Sequence, residues 1–117
     1  MISSPKSFFA DRGGLHDARI KAFRWDASAR LIVLEVADLD ANALGLPEYM
    51  GPKPGTITFR EVEALAFSCD AFADDIQRVY DVEIEEIGSG TFRCVLLISP
   101  SGRLEFVFSS AAMEEHR

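Results

Sequence analysis

Alternation of apolar and polar positions dominates the last third of the chain and predicts antiparallel β-structure. In residues 79–87 apolar side chains alternate with carboxylates, which predicts a strand with one buried face and one wet face. The buried face is predicted to carry Tyr80, Val82 and Ile84. The wet face is predicted to carry Asp81, Glu83 and Glu85. Turn residues at 88–90 and 99–102 separate this run from two more alternating runs, which together predict a three-stranded meander.

Two apolar runs within residues 18–36 predict a pair of strands joined by a short polar turn. In the first run the alternation slips by one residue at Ala22-Phe23, which predicts a β-bulge that returns Trp25 to the core face. The second run, 31–36, begins with apolar residues in both phases. It is predicted to be a central strand or a strand covered on both sides.

Residues 56–68 also alternate, but the pattern is interrupted at Arg60-Glu61 and resumes out of phase. This predicts one long bent strand or two short strands around a bulge. In residues 69–80 the apolar positions fall at helical spacing and acidic residues lie near the start, which predicts a short helix.

The predicted elements define a mainly β fold of six to seven antiparallel strands with one short helix. A single layer of that size would leave much apolar surface uncovered, so a β-sandwich or a curled half-barrel is expected. At 117 residues the chain fits one domain, 1–117. Residues 1–14 are predicted to form an N-terminal extension and residues 111–117 a frayed tail.

The longest irregular stretch, residues 37–55, contains three prolines and three glycines and has no sustained period. Loops of more than about 12–15 residues are often functional. Tyr49 and its apolar neighbours indicate that this loop packs against another surface, so we consider it a candidate recognition loop and Tyr49 a candidate binding residue.

Charge narrows the classes of partner. The chain has 19 acidic and 12 basic residues, for a net charge of −7, and the basic residues are scattered. Nucleic-acid binding depends on clustered basic side chains and is therefore not expected. Glu83 and Glu85 lie in the acidic stripe of the wet strand face and are candidate contacts for a protein partner with a basic surface.

The chain shows few sequence signals for secretion, membrane insertion or cysteine pairing. The N-terminal residues lack the apolar core of a signal peptide, and no run approaches the roughly 18 apolar residues of a membrane helix. We therefore expect no membrane association and a cytoplasmic location. Cys69 and Cys94 belong to no Cys-x-x-Cys pair and are expected to be small buried hydrophobes.

The segment His16-Asp17 precedes the first strand and is the chain's most evident candidate for catalysis. Adjacent residues entering a strand are expected to point to opposite faces, so the two side chains are predicted not to address each other. No nucleophile motif such as G-x-S-x-G accompanies them. The alternative interpretation is that one of them hydrogen-bonds to backbone ahead of the strand.

Two acidic clusters in the sequence are candidate metal sites. Asp38, Asp40 and Asn42 match the first ligand positions of a calcium loop, but Ala43 and Tyr49 stand where that loop needs Gly and Glu. The second cluster is Asp70, Asp74 and Asp75, which suits the start of a helix. No metal site, catalytic residue or cofactor is predicted.

Three segments of the chain resemble a loose group of small bacterial β-rich proteins with a His-Asp-Ala start. The matching segments are LHDARI (15–20), FREVEAL (59–65) and DVEIEEI (81–87). Some members of this group are classed with the immunity proteins of polymorphic toxin systems. The resemblance implies no catalytic residues, and it marks His16 and Asp17 as a structural feature only.

Together these patterns favour a non-enzymatic binding or interaction domain, with an immunity-like role implied by the resemblance. The alternative is an enzyme that acts on a small ligand or depends on a metal, using His16, Asp17 and nearby carboxylates. A homodimer is a further expectation, because the strand at 31–36 is apolar on both faces.

Overall fold

The computed structural model of the chain describes residues 1–70 and 76–116. Within these residues, eight antiparallel strands form two four-stranded sheets, ordered β1-β2-β3-β8 (sheet I) and β4-β7-β6-β5 (sheet II). One α-helix, α1 (Pro5–Asp11), and two short 3-10 helices, Gly13–Leu15 and Ala41–Ala43, accompany them. The strands are β1 (Ile20–Asp26), β2 (Leu31–Val36), β3 (Gly55–Arg60), β4 (Glu63–Ser68), β5 (Arg78–Gly88), β6 (Thr91–Ser99), β7 (Arg103–Phe108) and β8 (Ser110–Glu115).

The core lies between the inner faces of the two sheets. Phe59 of β3 contacts Phe106 and Phe108 of β7, with ring centroids 4.9 and 5.0 Å apart in edge-to-face geometry. All three rings are essentially inaccessible to solvent. The prediction of a mainly β, antiparallel fold is therefore confirmed, with eight strands rather than six to seven.

The chain passes from one sheet to the other at two corners. Only Glu61 and Val62 separate β3 from β4, and only Ser109 separates β7 from β8. Glu61 has a φ of 57°, and the amide of Val62 donates to the carbonyl of Arg30 at 3.0 Å. Strands that change sheets at such bends are typical of orthogonally packed sheets. The interrupted pattern at Arg60-Glu61 thus marks two strands in different sheets.

The first strand pair forms around the polar turn that the sequence predicts. Asp26 Oδ1 accepts hydrogen bonds from the backbone amide of Ala29 at 3.0 Å and from the Ser28 hydroxyl at 2.9 Å. These two bonds lower the pKa of Asp26, because they favour its charged form. The turn residue after them, Arg30, has a φ of 55°.

The segment predicted as an N-terminal extension, residues 1–14, contains α1, and this helix packs into the core. Phe9 of α1 is 1% exposed and stacks on Phe59 with centroids 6.1 Å apart. Leu15 is fully buried in the same cluster. A helix of seven residues is too short to show a helical period, so sequence pattern alone does not reveal it.

The predicted frayed tail is wrong, because residues 110–115 form β8 and pair with β3 along its whole length. Ala111 is 1% exposed and its carbonyl accepts a hydrogen bond from the amide of Ile2 at 2.8 Å. The sequence Ala-Ala-Met-Glu-Glu has low intrinsic strand propensity. Pairing with a distant strand decides its conformation instead.

Two irregularities in the ladders change the predicted faces. The bulge of β1 lies between Ile20 and Ala22, one position before the predicted slip. Trp25 lies opposite Ile32, on the core side of sheet I, but β1 is an edge strand and the indole is 54% exposed. In β5 a bulge between Val79 and Asp81 buries Val79 and leaves Tyr80 57% exposed, so the predicted inward position of Tyr80 is wrong.

The helix predicted over residues 69–80 falls in part on residues 71–75, which lie outside the described residues. Its last part is wrong, because Arg78, Val79 and Tyr80 belong to β5.

Of the predicted buried cysteines, Cys94 is fully buried and Cys69 partly so, and both are free thiols. Burial raises the pKa of the Cys94 thiol. In the part of the chain that the structure describes, no helix is long and apolar enough to cross a membrane.

Replacing Phe9 by Ala tests whether α1 belongs to the core. Because the ring is fully buried against Phe59, we expect Phe9→Ala to lower the free energy of unfolding by about 3–5 kcal/mol. The matched control is Phe8→Ala, since Phe8 is only partly buried and should cost less. Urea denaturation followed by circular dichroism measures both. A loss below about 1 kcal/mol for Phe9→Ala would contradict the packing of α1.

Candidate functional site

His16 and Asp17 lie between the 3-10 helix Gly13–Leu15 and β1, beside the start of β5. His16 Nδ1 lies 2.8 Å from the carbonyl oxygen of Tyr80, and His16 Nε2 lies 3.6 Å from Asp17 Oδ2. The two side chains are 49% and 64% exposed. They therefore form a pair at the surface, with one ring nitrogen fixed by the backbone of β5.

The prediction that these side chains point to opposite faces is wrong. Asp17 precedes β1 and has a φ of 69°, which is a left-handed conformation rather than that of a strand. Leu15 has a φ of 56° and Gly14 one of 65°. A Cβ on Gly14 would overlap Asp81 of β5, so only glycine permits this close approach.

The geometry gives His16 a structural role as a latch. A carbonyl oxygen only accepts, so His16 Nδ1 donates to Tyr80, and Nε2 lies 3.6 Å from a carboxylate oxygen of Asp17. Backbone hydrogen bonds extend the latch: the Asp17 amide donates to the Val79 carbonyl at 2.9 Å, and the Val79 amide donates to the Ala18 carbonyl at 2.8 Å.

Within the described residues no cluster of three or more His, Cys, Asp or Glu could hold a metal.

A groove of about 400 Å³ separates Asp17 from the long irregular loop. Arg19 and Arg78 face each other across an isolated bridge at one side of the groove, and Arg78 donates to the Asp17 carbonyl at 3.3 Å. Leu44 on the loop side is 70% exposed. The structure thus brings the His16-Asp17 segment next to the loop that the sequence nominates for recognition.

The Tyr49 side chain binds another residue of the same loop. Its hydroxyl donates to Asp38 Oδ2 at 2.5 Å, and Asp38 Oδ1 accepts the backbone amides of Asp40 and Lys53, each at 3.0 Å. The hydrogen bond to Asp38, burial and the charges of Asp38 and Asp40 raise the pKa of Tyr49 from 10.0 to about 12. The Tyr49 hydroxyl is therefore engaged in holding the loop together.

Glu83 and Glu85 lie on the outer face of sheet II, where the strand register aligns them with residues of three other strands. One row across the sheet joins Glu83, Val95, Glu105 and Ala66. The next row joins Glu85, Arg93, Val107 and Glu63. A third row joins Asp81, Leu97, Arg103 and Ser68. We call this surface the acidic face; its carboxylates are Glu63, Asp81, Glu83, Glu85 and Glu105.

The arginines of the acidic face are engaged by neighbouring carboxylates. Arg93 lies 3.7 Å from Glu85 and Arg103 lies 2.7 Å from Glu105. Among the described residues, Glu83 has no cationic partner within 4.0 Å, and the Glu85 side chain is 70% exposed. Carboxylates outnumber guanidinium groups five to two in the three rows, so the face has a net negative charge.

An apolar stripe runs along the middle of the acidic face. Val95 and Leu97 of β6 and Val107 of β7 point outward and are only partly covered. Sequence reasoning identified the carboxylates of β5 but missed this stripe, Glu63 and Glu105. The available signal was the apolar character of 95 and 97, which fall in the outward phase of a strand whose inward phase is also apolar.

Comparison with known proteins adds information on the fold alone. No protein-family model matches the chain, and no curated protein matches it in sequence. The chain is similar in structure to an uncharacterized protein from Neisseria gonorrhoeae, with a TM-score of 0.56 and 7% sequence identity. The similarity covers 85% of this chain and 91% of the other. The fold thus defines a mainly β protein of two antiparallel sheets.

Replacing Tyr49 by Phe tests the internal closure of the loop. Because the folded state favours the protonated hydroxyl, its contribution to stability is fully present below pH 10 and is lost as pH rises to about 12. We expect Tyr49→Phe to abolish this alkaline loss. Absorbance titration of phenolate in the wild type, minus that of Tyr49→Phe, should show one transition near pH 12. A transition near the ordinary value of 10.0 would show that the bond to Asp38 is absent.

Proposed function

We propose that this chain is a non-enzymatic interaction domain, a β-sandwich that presents the acidic face to a protein partner with a basic surface. One observation carries the proposal: four strands place five carboxylates around an apolar stripe on one face of sheet II. Glu83 and Glu85 are the proposed contacts on its β5 side.

The composition of the acidic face matches what protein interfaces need. Interfaces combine a partly apolar centre with a polar rim, and charge complementarity directs the approach of the partner. Val95, Leu97 and Val107 supply the centre, and the carboxylates supply the rim. Exposed ion pairs contribute roughly 0–1 kcal/mol, so Glu85 and Glu105 can exchange Arg93 and Arg103 for cations of a partner at little cost.

An immunity-like role is the specific form of this proposal. It rests on the resemblance of the LHDARI, FREVEAL and DVEIEEI segments to proteins of which some belong to toxin-immunity systems. A toxin that acts on nucleic acid needs basic residues to bind phosphates, so its inhibitor would present an acidic surface. Among the described residues the acidic face is the broad surface with that character.

The enzymatic alternative has less support. His16 Nδ1 is engaged by the Tyr80 carbonyl, and Asp17 but not His16 lines the groove beside Arg19 and Arg78. We propose instead that the His16-Asp17 pair positions the start of β5, the strand that carries Glu83 and Glu85. A homodimer also stays a proposal; its surface would be the outer face of sheet I, where Leu31 and Val33 are partly exposed.

Charge reversal on β5 tests the proposed interface. We expect the double variant Glu83→Lys/Glu85→Lys to bind a basic partner at least about tenfold more weakly, because like charges then face each other. The matched control is Glu48→Lys/Glu114→Lys, which changes the net charge equally at exposed positions outside the acidic face. Affinity capture from native extract with quantitative mass spectrometry compares the three proteins.

The expected result is a set of basic proteins that the wild type and the control both capture and the β5 variant loses. Recovery of the same set by all three proteins would exclude the acidic face as the interface. Loss from both variants would show a response to net charge alone and would also contradict the proposal.

Co-expression tests the immunity-like role. If the gene next to this one encodes a toxin domain, we expect its expression to arrest growth and this chain to restore growth. The Glu83→Lys/Glu85→Lys variant should fail to restore growth, whereas Glu48→Lys/Glu114→Lys should succeed. Continued arrest in the presence of the folded wild-type chain, or a neighbouring gene without a toxin domain, would contradict this role.

A further inference from the structure

An apolar cavity of about 170 Å³ lies between the two sheets beside β1. Ile20, Phe23 and Leu34 of sheet I form one side of its wall, and Leu96, Ile98 and Leu104 of sheet II form the other. Phe67, Cys69 and Gln77 complete the lining, and their polar atoms are not exposed to the cavity. The surface that these residues present to the cavity is apolar throughout. The cavity is independent of the acidic face, because the inner and outer faces of sheet II carry alternate residues of each strand.

The cavity is partly open to solvent, and its volume is large enough for a small molecule. A buried water needs two to four polar partners, which an apolar wall does not supply. An engineered cavity of about 150 Å³ lined by Leu, Ile and Phe stays dry and binds benzene. The cavity beside β1 has a similar volume and a similar lining.

The rim of the cavity is a pair of aromatic side chains on two edge strands. Phe23 of β1 stacks on Phe67 of β4, with centroids 5.4 Å apart and an interplanar angle of 19°. Phe67 is 53% exposed. The cavity is already partly open to solvent, so a small molecule has a route to its interior.

We propose that this cavity is a binding site for a small, neutral, apolar molecule of the size of benzene or toluene. A charged ligand would lose its hydration without gaining a partner from the wall. A segment of another protein is too large for the space between the sheets. The site thus selects small molecules that carry no charge. The bound molecule contacts the inner faces of both sheets.

Two adjacent residues of β6 provide a matched pair of variants. Ile98 lines the cavity, whereas Leu97 points outward on the acidic face. Ile98→Phe adds volume inside the cavity and should compete with a ligand. Leu97→Phe introduces the same phenyl ring at the preceding residue, outside the cavity, and should leave the cavity unchanged.

Toluene is the probe for calorimetric titration and for the midpoint of thermal unfolding, Tm. We expect saturable binding and a rise in Tm with toluene concentration for the wild type and for Leu97→Phe, because a ligand that binds only the folded state stabilises it. Ile98→Phe should bind at least about tenfold more weakly and show no such rise. Methyl NMR of the wild type should place the largest shifts on Leu34, Leu96 and Leu104.

Absence of saturable binding by the wild type would overturn the proposal. Equal binding by a folded Ile98→Phe would overturn it as well, as would methyl shifts confined to residues outside the cavity. If Ile98→Phe does not fold, the methyl shifts of the wild type decide between the cavity and another site. None of these results depends on the acidic face, so they separate this proposal from that of the interaction domain.

Discussion

The packing of aromatic rings around Phe59 is the contact on which the rest of the structure depends. Phe59 of β3 meets Phe106 and Phe108 of β7 across the core, and Phe9 of α1 stacks on it as well. Such pairs contribute about 0.5–1.5 kcal/mol each beyond the area that they bury. One side chain therefore joins both sheets and the helix.

The period-two pattern predicted the strands but not their partners. The alternation in residues 79–108 correctly indicates β5, β6 and β7, because each strand buries one face locally. Tyr80 and Trp25 break the prediction for different reasons: a bulge turns Tyr80 outward, and the edge position of β1 leaves Trp25 uncovered. Strand β8 and helix α1 escape sequence analysis because their conformations depend on contacts with β3, which is distant in the chain.

The candidate site was visible in the sequence only where its residues are consecutive on one strand. Glu83 and Glu85 alternate along β5 and therefore stand out. Glu63 and Glu105 join them through the order of strands in sheet II, which no local pattern encodes. His16 and Asp17 show the opposite case. Their adjacency suggests chemistry, yet the left-handed backbone at Asp17 and the carbonyl of Tyr80 make the pair a part of the fold.

The fold and the proposed interface meet in β5. Its first residues are fixed by the His16 latch and by backbone bonds to residues 17 and 18, and its inner face carries Val82 and Ile84 into the core. Its outer face then presents Glu83 and Glu85 in a fixed register with β6 and β7. A rigid sheet holds charges at set spacings, which lets a flat surface discriminate among basic partners.

Carboxylate footprinting tests the central claim, that the acidic face is the site of interaction, most directly. Carbodiimide-driven labelling of the free protein and of its complex with the captured partner, read by mass spectrometry, reports the exposure of each carboxylate. The account predicts that Glu83 and Glu85 are labelled in the free protein and protected in the complex, while Glu48 and Glu114 are labelled in both. Protection of Asp17 or Asp38 with undiminished labelling of Glu83 and Glu85 would contradict it.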